Sequence, residues 1–130
     1  MEITHNQTFK ALTQAIDKAN EIGISVNITI VDTAGHQKLF FRMDDAFLGS
    51  IDISMGKAKT AMLFRMNSEE VGNFLAPEMG TYGMLHTSGG LVGFRGGMAI
   101  KAEGQTVAYI GVSGGSPDQD YEIAAAGSII

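Results

Sequence analysis

Arg42, Asp44 and Asp45 make FFRMDDA the densest run of charge in the chain. An arginine two residues from an aspartate at a strand end can clamp a ligand carboxylate with two parallel hydrogen bonds, or can fix the turn that follows. Adjacent carboxylates hold a hard cation only where further oxygen ligands converge on them. His5, His36 and His86 are the nitrogen donors available to a metal or a haem iron. His5 falls in the first turn of a helix, His36 in a hairpin turn where it should be exposed, and His86 in an irregular loop beside Thr87 and Ser88. Lys57 and Lys59 flank a helix, either as solvated charges or as partners for the acid groups of a ligand. Ser113 lies in GVSGGSPDQD, where a Gly-rich turn meets a helix N-terminus and backbone N–H groups can face an anion. That first turn already holds Asp118 and Asp120, and GVSGG is not the GxSxG nucleophile elbow. Met55, Met62, Met66, Met79, Met84 and Met98 can line a pliable apolar pocket, although Met55 and Met62 also suit a helical core stripe.

The elements that carry these residues follow from period and punctuation. Thr4 and Gln7 form a capping-box pattern, Phe9, Leu12, Ile16 and Ala19 recur at helical spacing, and Gly23 supplies the stop. SVNITIVD alternates Val26, Ile28 and Ile30 with polar residues, the period of a strand with one buried face. DTAGH turns the chain, and Leu39, Phe41 and Met43 alternate in the return strand. Asp32 and His36 therefore sit at the turn, and Arg42, Asp44 and Asp45 at the far end of the hairpin. Ile51, Met55, Ala58 and Met62 stripe a second long helix, and SEEVGNFLA predicts a short third one capped by Ser68. PEMGTYGMLHTSGG has no period and predicts a mobile loop. LVGF, MAIKA and TVAYIGVSG predict three more strands, and Ser116, Pro117 and Gln119 open a last helix. The sum is one α+β domain over residues 1–130, an antiparallel five-stranded sheet covered by helices. The consecutive hairpins exclude a doubly wound nucleotide fold.

SVNITIVDTAGH, FFRMDDAF, SIDISMGKAKTAMLF, the GGMAIK hairpin and AYIGVSGGSPDQDYEIAAAG stand in that order, from about residue 22 to residue 127. Together they resemble the GlcG, HbpS and PduO C-terminal family, also called the haem-degrading or DUF336 family. The resemblance implies a PAS- or profilin-like fold and a homo-oligomer. It also implies a function among haem binding or degradation, a companion domain of a corrinoid pathway, and association with small-molecule catabolism.

Nine Lys and Arg against 14 Asp and Glu give a formal charge of -5, which argues against a nucleic-acid partner, since that affinity comes from cations neutralising phosphates. The absence of Cys removes disulfide, thiolate and CxxC chemistry. MEITHNQTFK has no basic region followed by an apolar run, and no stretch approaches the roughly 18 apolar residues of a membrane span, so a cytoplasmic protein without a membrane partner is expected. Three function classes stay open. One is a small-ligand-binding homo-oligomer holding haem or a related tetrapyrrole, with His86 or His5 on the iron and Lys57, Lys59 or Arg42 on the acid groups. Another is a small catabolic enzyme or accessory, with Arg42 orienting an organic acid and Asp44 or Asp118 moving a proton. The third is a purely structural or regulatory oligomer.

Overall fold

Thr4 begins the first helix, α1 (His5–Ile22): its hydroxyl accepts from the Gln7 N–H at 3.1 Å, and the Gln7 side chain accepts from the Thr4 N–H at 3.0 Å. Two donors orphaned by the first turn are thus satisfied reciprocally. Gly23 ends the helix in the left-handed conformation, with φ 87°. The computed structural model describes residues 1–130. After α1 come β1 (Asn27–Asp32), β2 (Gln37–Arg42), α2 (Gly49–Phe64), α3 (Ser68–Gly72), a 3-10 segment (Tyr82–Gly89), β3 (Gly97–Ala102), β4 (Gln105–Ser113) and α4 (Pro117–Gly127). The Ser116 capping box opens α4 as the sequence predicts, with Gln119 N–H on the Ser116 hydroxyl at 3.2 Å.

The sheet is antiparallel throughout, in the order β2-β1-β4-β3, with Asn27 opposite both Arg42 and Ser113. It has four strands, not five. Residues 91–94, expected to add the fifth, instead lie against α2, α3 and the 3-10 segment: Leu91 N–H donates to the Leu85 carbonyl at 3.1 Å, and Val92 N–H to the Thr60 hydroxyl at 3.0 Å. Their donors are taken by helical neighbours, so no strand edge is left to pair.

One face of the sheet carries Ile28, Ile30, Ile100, Ile110 and Val112, which pack with Ala11, Ala15 and Ala19 of α1 and with Ile123 and Ala124 of α4. Each fully buried Ile stabilises the fold by about 2–3 kcal/mol before entropy is counted. The other face is covered by α2, so β1 is buried on both sides and its polar residues Asn27 and Thr29 are interior rather than solvated. Thr29 and Ser54 satisfy each other there, oxygen to oxygen 2.9 Å.

Each long-helix stripe is borne out in part: Ala19 is buried with Leu12 and Ile16 packed against the core, and Ala58 is buried with Met62 beside it, but one large residue of each stripe faces out. In α1 the buried face is Thr8, Ala11, Ala15 and Ala19, and Phe9 is 61% exposed. In α2 the buried residues are Ser50, Ser54, Lys57, Ala58, Thr60 and Ala61, while Met55 is exposed. For α2 the reason lies at Gly111 of β4, where an added Cβ would overlap the Ser54 carbonyl. Helix and strand backbones meet so closely that only small or slender side chains fit between them. The methionines accordingly scatter: Met98 in the main core, Met62 beside Val31 and Ala58, and Met66 and Met84 beside Val71 and Leu91.

Candidate functional site

The β1–β2 turn is held by Asp32, whose Oδ1 accepts from Ala34 N–H at 3.0 Å and His36 N–H at 2.9 Å. Burial pushes this carboxyl up, but the two backbone donors, with the His36 imidazole nearby, outweigh it and leave the group below its ordinary range. His36 Nδ1 lies 3.5 Å from Asp32 Oδ2, and the ring is exposed, as its place in the turn predicts. At the hairpin exit Arg42 and Asp44 do not pair. Arg42 Nη1 donates to the Ala46 carbonyl at 3.0 Å and so closes the loop onto the strand, while Asp44 and Asp45 are exposed. The ion pair with Asp44 that would fix the turn is thus not formed; a backbone carbonyl takes its place.

Lys57 departs furthest from expectation. It is 0% exposed, its Nζ donating to Asp120 Oδ2 at 3.0 Å and to the Val112 carbonyl at 2.8 Å, and it lies 4.9 Å from the Phe94 ring centroid. Asp120 Oδ1 in turn accepts from Gly115 N–H at 2.8 Å. The pair ties α2 to α4 across the end of β4 and leaves Lys57 no route to a surface ligand. Burial pushes the Lys57 amine down and the Asp120 carboxyl up, each more strongly than the partner pulls it back. Asp120, read from sequence as a dipole-neutralising acid, is instead this interior counter-ion. Ser113 is buried beside Asn27 at the end of β4 and has no His or acid in hydrogen-bond contact. Ser68, expected to cap α3, follows the cap position Asn67; its hydroxyl instead accepts from Gly97 N–H at 2.9 Å and donates to Phe94 O at 2.6 Å, pinning the approach to β3.

Lys59 remains near the surface, its Nζ on the Ser88 carbonyl at 2.5 Å, at the rim of a cleft of about 470 Å³ between α2, the hairpin and residues 89–92. His86 is exposed on the 3-10 segment, which gives the expected irregular loop a regular first half before Thr87 and Ser88 leave helical geometry. No three His, Asp or Glu side chains gather as a metal site. His5 occupies the first position of α1, exposed, and with Lys38 of β2 it lines two adjoining depressions. The smaller also contains Thr8, Phe9 and Leu39. Phe9 is four residues after His5 and thus on the same helical face. In the sequence Phe9 and Lys38 carry no site role. Phe9 looked like core, and Lys38 reaches His5 only through the packing of α1 beside β2.

A four-stranded antiparallel sheet between two helical layers, with an exposed histidine and aromatic beside an edge strand, defines a small α+β class of fold. The chain belongs to the family described as haem degrading protein HbpS-like, whose model matches residues 3–128. It is 38% identical over 117 residues to an uncharacterized 15.0 kDa protein in the dhaT-dhaS intergenic region of Citrobacter freundii, covering 88% of this chain and 82% of that one. It is also 34% identical over 125 residues to the corrinoid adenosyltransferase PduO of Citrobacter freundii, covering 95% of this chain but only 37% of PduO. The chain thus spans little more than a third of PduO's length. A solved PduOC:heme complex superposes with a TM-score of 0.90 at 30% identity, covering 98% of this chain and 93% of that one. No helix is long and apolar enough to cross a membrane.

Proposed function

We propose that this chain binds haem or a closely related tetrapyrrole in the groove between the start of α1 and β2, with His5 on the iron. The observation that carries the proposal is the convergence of an exposed imidazole, an exposed phenyl ring one turn later and a lysine from the neighbouring strand on one groove. Each supplies what such a ligand needs. Imidazole is a common axial donor to haem iron. The Phe9 ring offers apolar area to a flat macrocycle, and Lys38 offers a cation to a propionate. The resemblance to a protein solved with haem supports the ligand class. Lys57 plays no part in this binding, being spent on Asp120.

A shallow groove covers one face of a flat ligand, so a second copy of the chain covers the other. β2 is the sheet edge left open, because the C-terminal residues Ser128–Ile130 bond to Lys101 along β3. Phe41, Phe47 and Leu48 are exposed on and just after that edge. Such a run of large apolar side chains fits a subunit contact. The catabolic reading gains nothing from its candidate residues, since Asp44 at the hairpin exit is exposed, Asp118 on α4 is exposed and paired with Arg95, and Arg42 is engaged by Ala46. The test is a haemin titration followed by the Soret band. Wild type and His86→Ala should show a sharp, saturable shift and His5→Ala should not; equal binding by all three would refute the assignment.

A further inference from the structure

At the opposite end of α2 from its Leu48 cap lies a cleft of about 540 Å³, bounded by the residues that follow the helix and by the β3–β4 hairpin. It shares no residue with the His5 groove. Arg65 and Lys101 both line it, and neither is among the ion pairs of the chain, which join Lys18 to Glu21, His36 to Asp32, Lys57 to Asp120 and Arg95 to Asp118. One acid, Glu70, lines it with them, so the cleft carries an excess of positive charge in a chain of formal charge -5.

Tyr109 makes this more than a pair of surface cations. The residue is 6% exposed, packed with Val31, Ala58 and Ala61, yet its hydroxyl makes no hydrogen bond within the chain. The sealed side-chain polar atoms lacking a partner are Asn27 Oδ1 and Glu69 Oε1 alone, so the Tyr109 hydroxyl is open to the cleft its residue lines. A nearly buried phenol in need of a partner is an oriented donor. Met66, Ala99 and Ile129 add apolar lining, which favours a ligand with a hydrocarbon body over a fully hydrated anion.

We propose that this cleft is a second ligand site, in which Arg65 and Lys101 bind the carboxylate of a small organic acid while Tyr109 donates its unpartnered hydroxyl to the same group and Met66 covers the carbon chain. It is independent of haem binding. The probes are benzoate, hexanoate and succinate, titrated calorimetrically into the purified full chain, with inorganic phosphate alongside. At least one of the three carboxylates should bind saturably. Arg65→Gln should weaken it about tenfold or more, as loss of a charge-assisted pair does, and Tyr109→Phe several-fold, as loss of one neutral hydrogen bond does. His5→Ala should leave it unchanged. Both site variants remove polar atoms with little loss of volume, and an unaltered thermal midpoint checks that each still folds. Absence of saturable binding by all three acids, tighter binding of phosphate, or wild-type affinity in folded Arg65→Gln and Tyr109→Phe would overturn the proposal.

Discussion

Lys57 and Asp120 are two charges taken out of water to face each other, and their energetics set testable behaviour at single residues. Breaking the pair with Lys57→Met or Asp120→Asn strands a buried charge and should cost about 3–5 kcal/mol in urea unfolding. Replacing both, Lys57→Met with Asp120→Leu, should cost much less than either single change, because hydrophobic groups of similar volume need no counter-ion. The pH dependence follows from the two directions. Asp120 is raised above 3.8, so the native state holds its proton longer and stability falls as pH climbs through the window just above 3.8. Lys57 is lowered below 10.5, so the unfolded chain holds its proton longer and stability climbs with pH just below 10.5. The double variant should flatten both slopes in a series of urea midpoints. Asp32 has the opposite sign to Asp120. Its lowered pKa contributes stability that is complete above 3.8 and is lost as pH falls through the folded value. Asp32→Ala should cost about 1–2 kcal/mol at neutral pH by loss of two backbone hydrogen bonds, and the difference from wild type should narrow in acid.

Elements were legible in the sequence where their signals are local. The Thr4–Gln7 and Ser116–Gln119 boxes need only three residues of spacing, and both form as predicted. The two-residue Glu103–Gly104 turn, with φ 52° and 77°, joins β3 to β4 where EGQ separates their patterns. Which helix face is buried was legible only in part, because its centre depends on how closely the partner approaches. At Gly111 the approach is backbone to backbone, so α2 hides serines, alanines and a lysine and leaves Met55 outside. A hydrophobic stripe is a sound guide only when the helix rides on large side chains. Gly111→Ala tests this directly. With the Cβ forced onto the Ser54 carbonyl, it should destabilise by about 3 kcal/mol or more, whereas Gly49→Ala, with open space around it, should cost far less.

At the scale of the whole molecule, fold class was readable because hairpin periodicity excludes parallel architectures, and the missing fifth strand was not, since LVGF has strand composition but spends its donors on helices. The His5 groove was half readable. His5 stood out by type, while Phe9 and Lys38 join it only once α1 is laid beside the open edge strand. The same arrangement predicts self-association. Sedimentation should give a multiple of 13.8 kDa for wild type, and Phe47→Glu with Leu48→Glu should shift it toward the single chain.

The most direct measurement is resonance Raman spectroscopy of the ferrous haem complex. The account predicts an iron–histidine stretching band in wild type and in His86→Ala that disappears in His5→Ala. A band that survives His5→Ala, or vanishes in His86→Ala, would place the iron elsewhere and contradict the groove assignment.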